Sequence, residues 1–94
     1  MRVLIAYDVA TVTPAGARRL RRVARACQDY GRRVQKSVFE CRVGPAQWAE
    51  LQLRLLAEMD AKEDSIRVYH LDEDTRVEHH GASAPPDLDG PLVV

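Results

Sequence analysis

Apolar and polar positions change their spacing several times along this chain, and each change marks an element. Val3, Leu4, Ile5 and Ala6 run without a polar break before Tyr7-Asp8. That is the pattern of a central strand covered on at least one face, read over residues 2–9. Thr13-Pro14 then supplies a cap and a first-turn proline. The helix they open runs to Tyr30 and stops at Gly31, a residue suited to a helix end. Ala17, Leu20, Val23, Ala24 and Cys27 share one of its faces; Arg18, Arg21, Arg22 and Arg25 share the opposite one, with Arg19 at the edge. Strict alternation follows, predicting strands over 32–37 and 38–43. Val34, Lys36, Val38 and Glu40 stand against Arg33, Gln35, Ser37, Phe39 and Cys41, so neither face is purely apolar. Such a pair is not sealed on both sides. Gly44-Pro45 opens a second helix with Trp48, Leu51, Leu55, Leu56 and Met59 inward, ending near 61–64. Residues 65–71 form another strand, and 76–80 are read as a short fifth one.

The order β-α-β-β-α-β is the ferredoxin-like α+β pattern. Its two amphipathic helices cover one face of an antiparallel sheet and leave the other for dimerisation or ligand binding. That domain is read over 1–80. The tail after it is rich in proline and glycine but ends in Pro91-Leu92-Val93-Val94. A short apolar strand there is expected to pair with its own sheet edge, a partner subunit or another protein. Because this fold hosts many unrelated activities, it does not by itself assign one.

Charge changes the picture more than composition does. The net charge is zero over 94 residues, yet residues 1–43 carry ten Lys/Arg and three Asp/Glu, and 44–94 carry four and eleven. Either one surface attracts polyanions or the two halves neutralise each other in the fold. A single domain this short buries only about 65% of its unfolded surface, which favours a homodimer. No segment is long enough to span a membrane and no signal peptide precedes Cys27 and Cys41, so both are read as reduced thiols in a cytoplasmic protein. A Gly-rich phosphate loop, a nucleophile elbow, His-Glu-x-x-His and Cys-x-x-Cys are all lacking. This disfavours a dedicated NTPase, serine hydrolase, zinc protease or structural zinc site.

Asp8, closing the most apolar segment, is the candidate ligand for a hard cation such as Mg²⁺; the alternative is a turn or cap aspartate. One carboxylate is a poor metal site, and a symmetric dimer bringing two copies together would repair that. The arginine face of the first helix can grip phosphates, or it is an ordinary solvated face. Only Asp29 dilutes it, which is unusual for a plain surface. Ser37 is a candidate hydroxyl ligand or phosphate contact, or a strand-edge serine. Phe39 is a candidate stacking platform for a base, with a core or interface position as the favoured alternative. His70, His79 and His80 lack partners at a spacing that would specify a triad or a metal site.

Val3-Leu4-Ile5-Ala6-Tyr7-Asp8-Val9, Asp29-Tyr30-Gly31-Arg32-Arg33-Val34-Gln35-Lys36-Ser37-Val38-Phe39-Glu40-Cys41 and Asp64-Ser65-Ile66-Arg67-Val68-Tyr69 together resemble the CRISPR-associated protein 2 family over residues 1–80. The resemblance implies a ferredoxin-like homodimer that takes part in acquiring CRISPR spacers. It implies either a Mg²⁺-dependent endonuclease acting on RNA or duplex DNA, or a non-catalytic scaffold holding duplex DNA with the CRISPR integrase, CRISPR-associated protein 1. Asp8 matches the family's proposed Mg²⁺ ligand, one from each protomer, and would be the catalytic residue. Arg33, Ser37 and Phe39 match its strand motif, and Arg19 and Arg22 its helix-one basic residues, while the loop from Val9 to Ala17 is longer than the family's usual one. With Arg18, these are the candidate nucleic-acid contacts. The tail would join a partner subunit or the integrase. A related ferredoxin-like toxin ribonuclease is a third reading.

Overall fold

The computed structural model describes residues 1–82. Its elements run β1 (Arg2–Asp8), α1 (Pro14–Tyr30), β2 (Gly31–Gln35), β3 (Val38–Arg42), α2 (Pro45–Glu58) and β4 (Ser65–Leu71). They build one four-stranded sheet of order β2-β3-β1-β4 with every neighbouring pair antiparallel. This is the ferredoxin-like α+β architecture that the order of elements predicts.

Alternation along β1 decides the two faces. Val3, Ile5 and Tyr7 point to one side and are buried with Phe39 and Cys41 of β3. Val23, Ala26 and Cys27 of α1 and Leu51 and Leu55 of α2 complete that core, with Leu20, Trp48, Ile66 and Val68 packed at its rim. Both helices therefore lie on one side. Leu4, Ala6 and Asp8 point to the other side, with their register partners Glu40, Val38, Tyr69, Arg67 and Ser65. No helix covers this open face among the described residues.

The helices begin as their sequences require. Thr13 accepts the Gly16 N–H at 3.1 Å through Oγ1, and Pro14 takes the first turn, where it sacrifices no helical hydrogen bond. In α2 Pro45 does the same, and the Gln47 side chain reaches back to accept the Gly44 N–H at 3.0 Å.

Four features depart from the expected pattern. Residues 76–80 form no strand; they are exposed and hydrogen-bond only locally. Leu56 is 61% exposed and Leu53 is 70% exposed, so the apolar stripe of α2 is narrower than its composition suggests. Gly31 ends α1 in an extended conformation (φ −158°), not a left-handed one. Glycine is needed there because a Cβ would fall onto Cys41 Sγ and the Glu40 carbonyl oxygen of the paired strand. Finally, β2 stops at Gln35: Lys36 and Ser37 make the tight hairpin turn, and a register shift falls between Arg33 and Gln35. The apolar end at 91–94 lies outside the described residues.

Candidate metal and nucleic-acid site

Asp8 is the last residue of β1, exposed and on the open face. Its register partner on β4 is Ser65, so a hydroxyl stands beside the carboxylate on the same face. Arg67, opposite Ala6 on β4, lies diagonally from Asp8 on that face; its Nη1 donates to the Tyr69 hydroxyl at 3.3 Å. On the other flank, the Tyr7 N–H donates to the Ser37 carbonyl at 3.0 Å, which brings the hairpin turn to the same end of the sheet. Asp8, Ser65 and Ser37 therefore meet at one end of three adjacent strands.

Behind that end sits a buried carboxylate. Asp64 accepts the Ala10 N–H at 3.1 Å, the Asp60 N–H at 2.8 Å, and Arg19 through Nε at 2.8 Å and Nη2 at 3.3 Å. Its side chain is 0% exposed. The Arg19 guanidinium, with help from the two backbone N–H groups, outweighs burial and holds this carboxyl down at about 2. This corrects the expectation for Arg19. Two of its N–H groups are committed to Asp64 and tether α1 to the loops on either side of the sheet end, so its charge is already paired within the fold.

The rest of the helix-one stripe is graded. Arg18 and Arg21 are exposed and make no ion pair among the described residues. Arg22 is 3.9 Å from Glu58 and remains largely open. Arg25 is 3.3 Å from Asp29, which Arg54 also holds at 3.0 Å, and the two guanidiniums keep that carboxyl below its ordinary value. The two halves of the chain thus neutralise each other in part, at Arg19–Asp64, Arg22–Glu58 and Arg42–Glu73. Cations without an ion pair among the described residues remain at Arg18 and Arg21 in the first two turns of α1, and at the exposed Arg33 and Lys36 around the β2–β3 turn.

Phe39 is corrected as well. It is 0% exposed, stacked on Tyr7 at a centroid distance of 6.1 Å, and has no free ring face for a base. Arg33 is exposed but lies over that ring at 5.1 Å, on the helix-covered side. Arg33 is therefore separated from Asp8 by the sheet. The α1 stripe lies on the helix side too. Ser65 and Arg67 are the residues that sequence reasoning missed; laying β4 antiparallel to β1 so that Ser65 meets Asp8 would have found both. Cys27 and Cys41 are buried, free thiols pushed up by desolvation to about 12 and about 11, which leaves them neutral and unreactive at pH 7.

The donor set suits Mg²⁺ in kind but not in number. Asp8 is a hard oxygen donor open to solvent, with room for the waters that Mg²⁺ retains. Among the described residues no three His, Cys, Asp or Glu side chains converge to hold a metal ion. One chain offers a single carboxylate there.

Residues 1–78 match the family profile described as CRISPR associated protein Cas2. The chain belongs to the Cas2 family. Over its whole length it is 59% identical to the "CRISPR-associated endoribonuclease Cas2" of Chlorobaculum tepidum, covering 100% of each chain. It is 50% identical to the "CRISPR-associated endonuclease Cas2" of Halalkalibacterium halodurans, covering 99% of each. The crystal structure of Streptococcus pyogenes Cas2 at pH 6.5 superposes with a TM-score of 0.78 at 54% identity, over 86% of this chain and 100% of that one. The Cas2 frame thus carries Asp8, Ser65 and Arg67 on one face and the α1 stripe on the other side.

Proposed function

We propose that this Cas2 protein is a cytoplasmic homodimer of CRISPR adaptation that binds duplex nucleic acid and cleaves phosphodiester bonds of RNA or duplex DNA with Mg²⁺. The carrying observation is Asp8, exposed at the end of β1 on a sheet face that no helix covers among the described residues. Leu4, Ala6 and Val38 on that face are only partly buried, an apolar surface suited to a second copy. An isologous contact there brings two Asp8 side chains together and supplies the second carboxylate. Bound Mg²⁺ would polarise a phosphate oxygen and supply an activated water. Asp8 would anchor the ion, the Ser65 hydroxyl would hydrogen-bond a bound water or phosphate oxygen, and Arg67 would donate to the phosphate. The segment beyond residue 80 joins the partner subunit or the integrase.

One observation favours a second reading. The open arginines at Arg18, Arg21 and Arg22 lie on the helix side of the sheet, away from Asp8. A duplex gripped there would not need to reach the carboxylate, as in a scaffold that holds DNA for the integrase without breaking a bond. Cleavage of labelled RNA and duplex DNA with Mg²⁺ separates the two readings, using wild type and a matched Asp8→Asn preparation. The nuclease reading expects activity lost in the variant with duplex binding retained. Equal activity in both indicates contamination, and none in either leaves the scaffold. Equal loss of cleavage and binding in Asp8→Asn would sink the catalytic assignment.

A further inference from the structure

We infer that Asp64, Arg19 and Gly16 form a clamp on Ala10 that sets where Asp8 stands, so that Asp64 is a positioning residue for the Asp8 site. The inference rests on the reading of Asp8 as the metal ligand.

Ala10 follows Asp8 by two residues and is gripped from two sides. Its N–H donates to Asp64 Oδ1 at 3.1 Å. Its carbonyl lies so close to Gly16 of α1 that a Cβ there would overlap the oxygen and come within 3.3 Å of Thr11 Cα. The Asp64 carboxylate is itself immobilised by the Arg19 fork at 2.8 and 3.3 Å and the Asp60 N–H at 2.8 Å. Its main chain leads directly into Ser65, the ladder partner of Asp8. One carboxylate thus holds the chain just after Asp8 through its side chain and the start of β4 through its backbone. Val9, the residue between Asp8 and Ala10, is itself held in the core at 8% exposed. A half-site with a single carboxylate depends on that carboxylate being held still, because freedom lost on binding is subtracted from affinity.

Three variants loosen the clamp differently. Arg19→Lys keeps the charge and loses the fork, Asp64→Asn keeps the shape and loses the charge, and Gly16→Ala pushes on Ala10 with no change of charge. Hydrogen exchange at the Ala10 amide reports the clamp, the Mg²⁺ concentration for half-maximal cleavage reports the site, and duplex affinity in EDTA reports the α1 surface. In each folded variant Ala10 protection should fall, and half-saturating Mg²⁺ should rise about 10-fold, the usual cost of removing an outer-shell partner. Duplex affinity in EDTA should stay within about twofold, because the open guanidiniums of Arg18 and Arg21 lie apart from the clamp. Lost Ala10 protection with unchanged Mg²⁺ half-saturation overturns the inference and leaves the clamp as a fold element. If Asp64→Asn does not fold, Arg19→Lys and Gly16→Ala decide the matter alone. A wild type without any Mg²⁺ response overturns the Asp8 reading and the inference with it, and the wild-type control tells that result apart from failure of the clamp alone.

Discussion

The two ends of β1 are held by buried charges of opposite sign. At the Asp8 end, the Asp64 carboxylate collects two backbone N–H groups and an arginine fork. At the other end, the Arg2 guanidinium collects carbonyls. Its Nη1 donates to Asp72, Glu73 and Thr75 at 3.2, 3.4 and 3.1 Å, and its Nη2 pairs with Glu40 at 3.1 Å. The difference is completeness. Asp64 has both oxygens saturated, whereas Arg2 Nε is buried with no hydrogen-bond partner. An unmade buried hydrogen bond costs about 1–3 kcal/mol, so Arg2 contributes less than its contact distances suggest. The complete arrangement stands at the end that carries the candidate chemistry; the incomplete one clips an exposed turn.

Removing each charge tests that contrast most strongly. Asp64→Ala leaves Arg19 and two N–H groups without their acceptor and should cost about 3–4 kcal/mol. Arg2→Leu alone would strand the Glu40 carboxylate, which is only 10% exposed; the double variant Arg2→Leu/Glu40→Leu removes that charge too, frees only carbonyls of an exposed turn that water can reach, and should cost about 1–2 kcal/mol. Urea unfolding at pH 7 measures both, and equal losses would erase the distinction.

Acid titration sharpens it. The folded Asp64 carboxyl is depressed from its ordinary 3.8 to about 2. Its stabilisation is therefore complete above about pH 5 and is lost as pH falls from about 4 toward 2. Thermal melts of wild type and Arg2→Leu/Glu40→Leu should share a steep acid decline over that window, and Asp64→Asn should show a shallower one. An unchanged slope in Asp64→Asn would assign the decline to other carboxylates.

The smallest effect concerns the arginine stripe. Reversing Arg18 and Arg21 to Glu should weaken duplex affinity about 10-fold near 0.1 M salt and flatten its salt dependence by roughly one to two counterions. Arg25→Glu should act more weakly, because Asp29 already holds that guanidinium at 3.3 Å. A salt slope unchanged by the Arg18/Arg21 reversal would remove the helix from the nucleic-acid surface.

The order of elements was legible because the spacing of apolar residues shifts at Asp8, Gly31 and Pro45, each beside a residue that ends or opens an element. Function at single positions was less legible, for three physical reasons. Arg19 and Arg18 are neighbours in sequence, and a 100° turn separates a buried tether from a solvated cation; the partner that decides it, Asp64, is 45 residues away. Phe39 sits in a strand whose alternating sets are both mixed, so the pattern alone does not say which set faces the helices. The wide cation–ring contact with Arg33 shows how a basic residue can share the buried side at an edge strand. Ser65 and Arg67 belong to a strand motif of the sequence, but their place beside Asp8 is a matter of ladder register, set by pairing between residues far apart in the chain.

Helix α1 passes into β2 without an intervening residue, Tyr30 ending one and Gly31 beginning the other. With no slack at that junction, the helix is phase-locked to the sheet. Inserting or deleting one residue within α1 would rotate everything before it by about 100° relative to everything after it. The arginine stripe would then swing toward the core and apolar residues toward water. The loop ahead of Thr13 differs in this respect: a residue added there would change reach without changing which way the guanidiniums face.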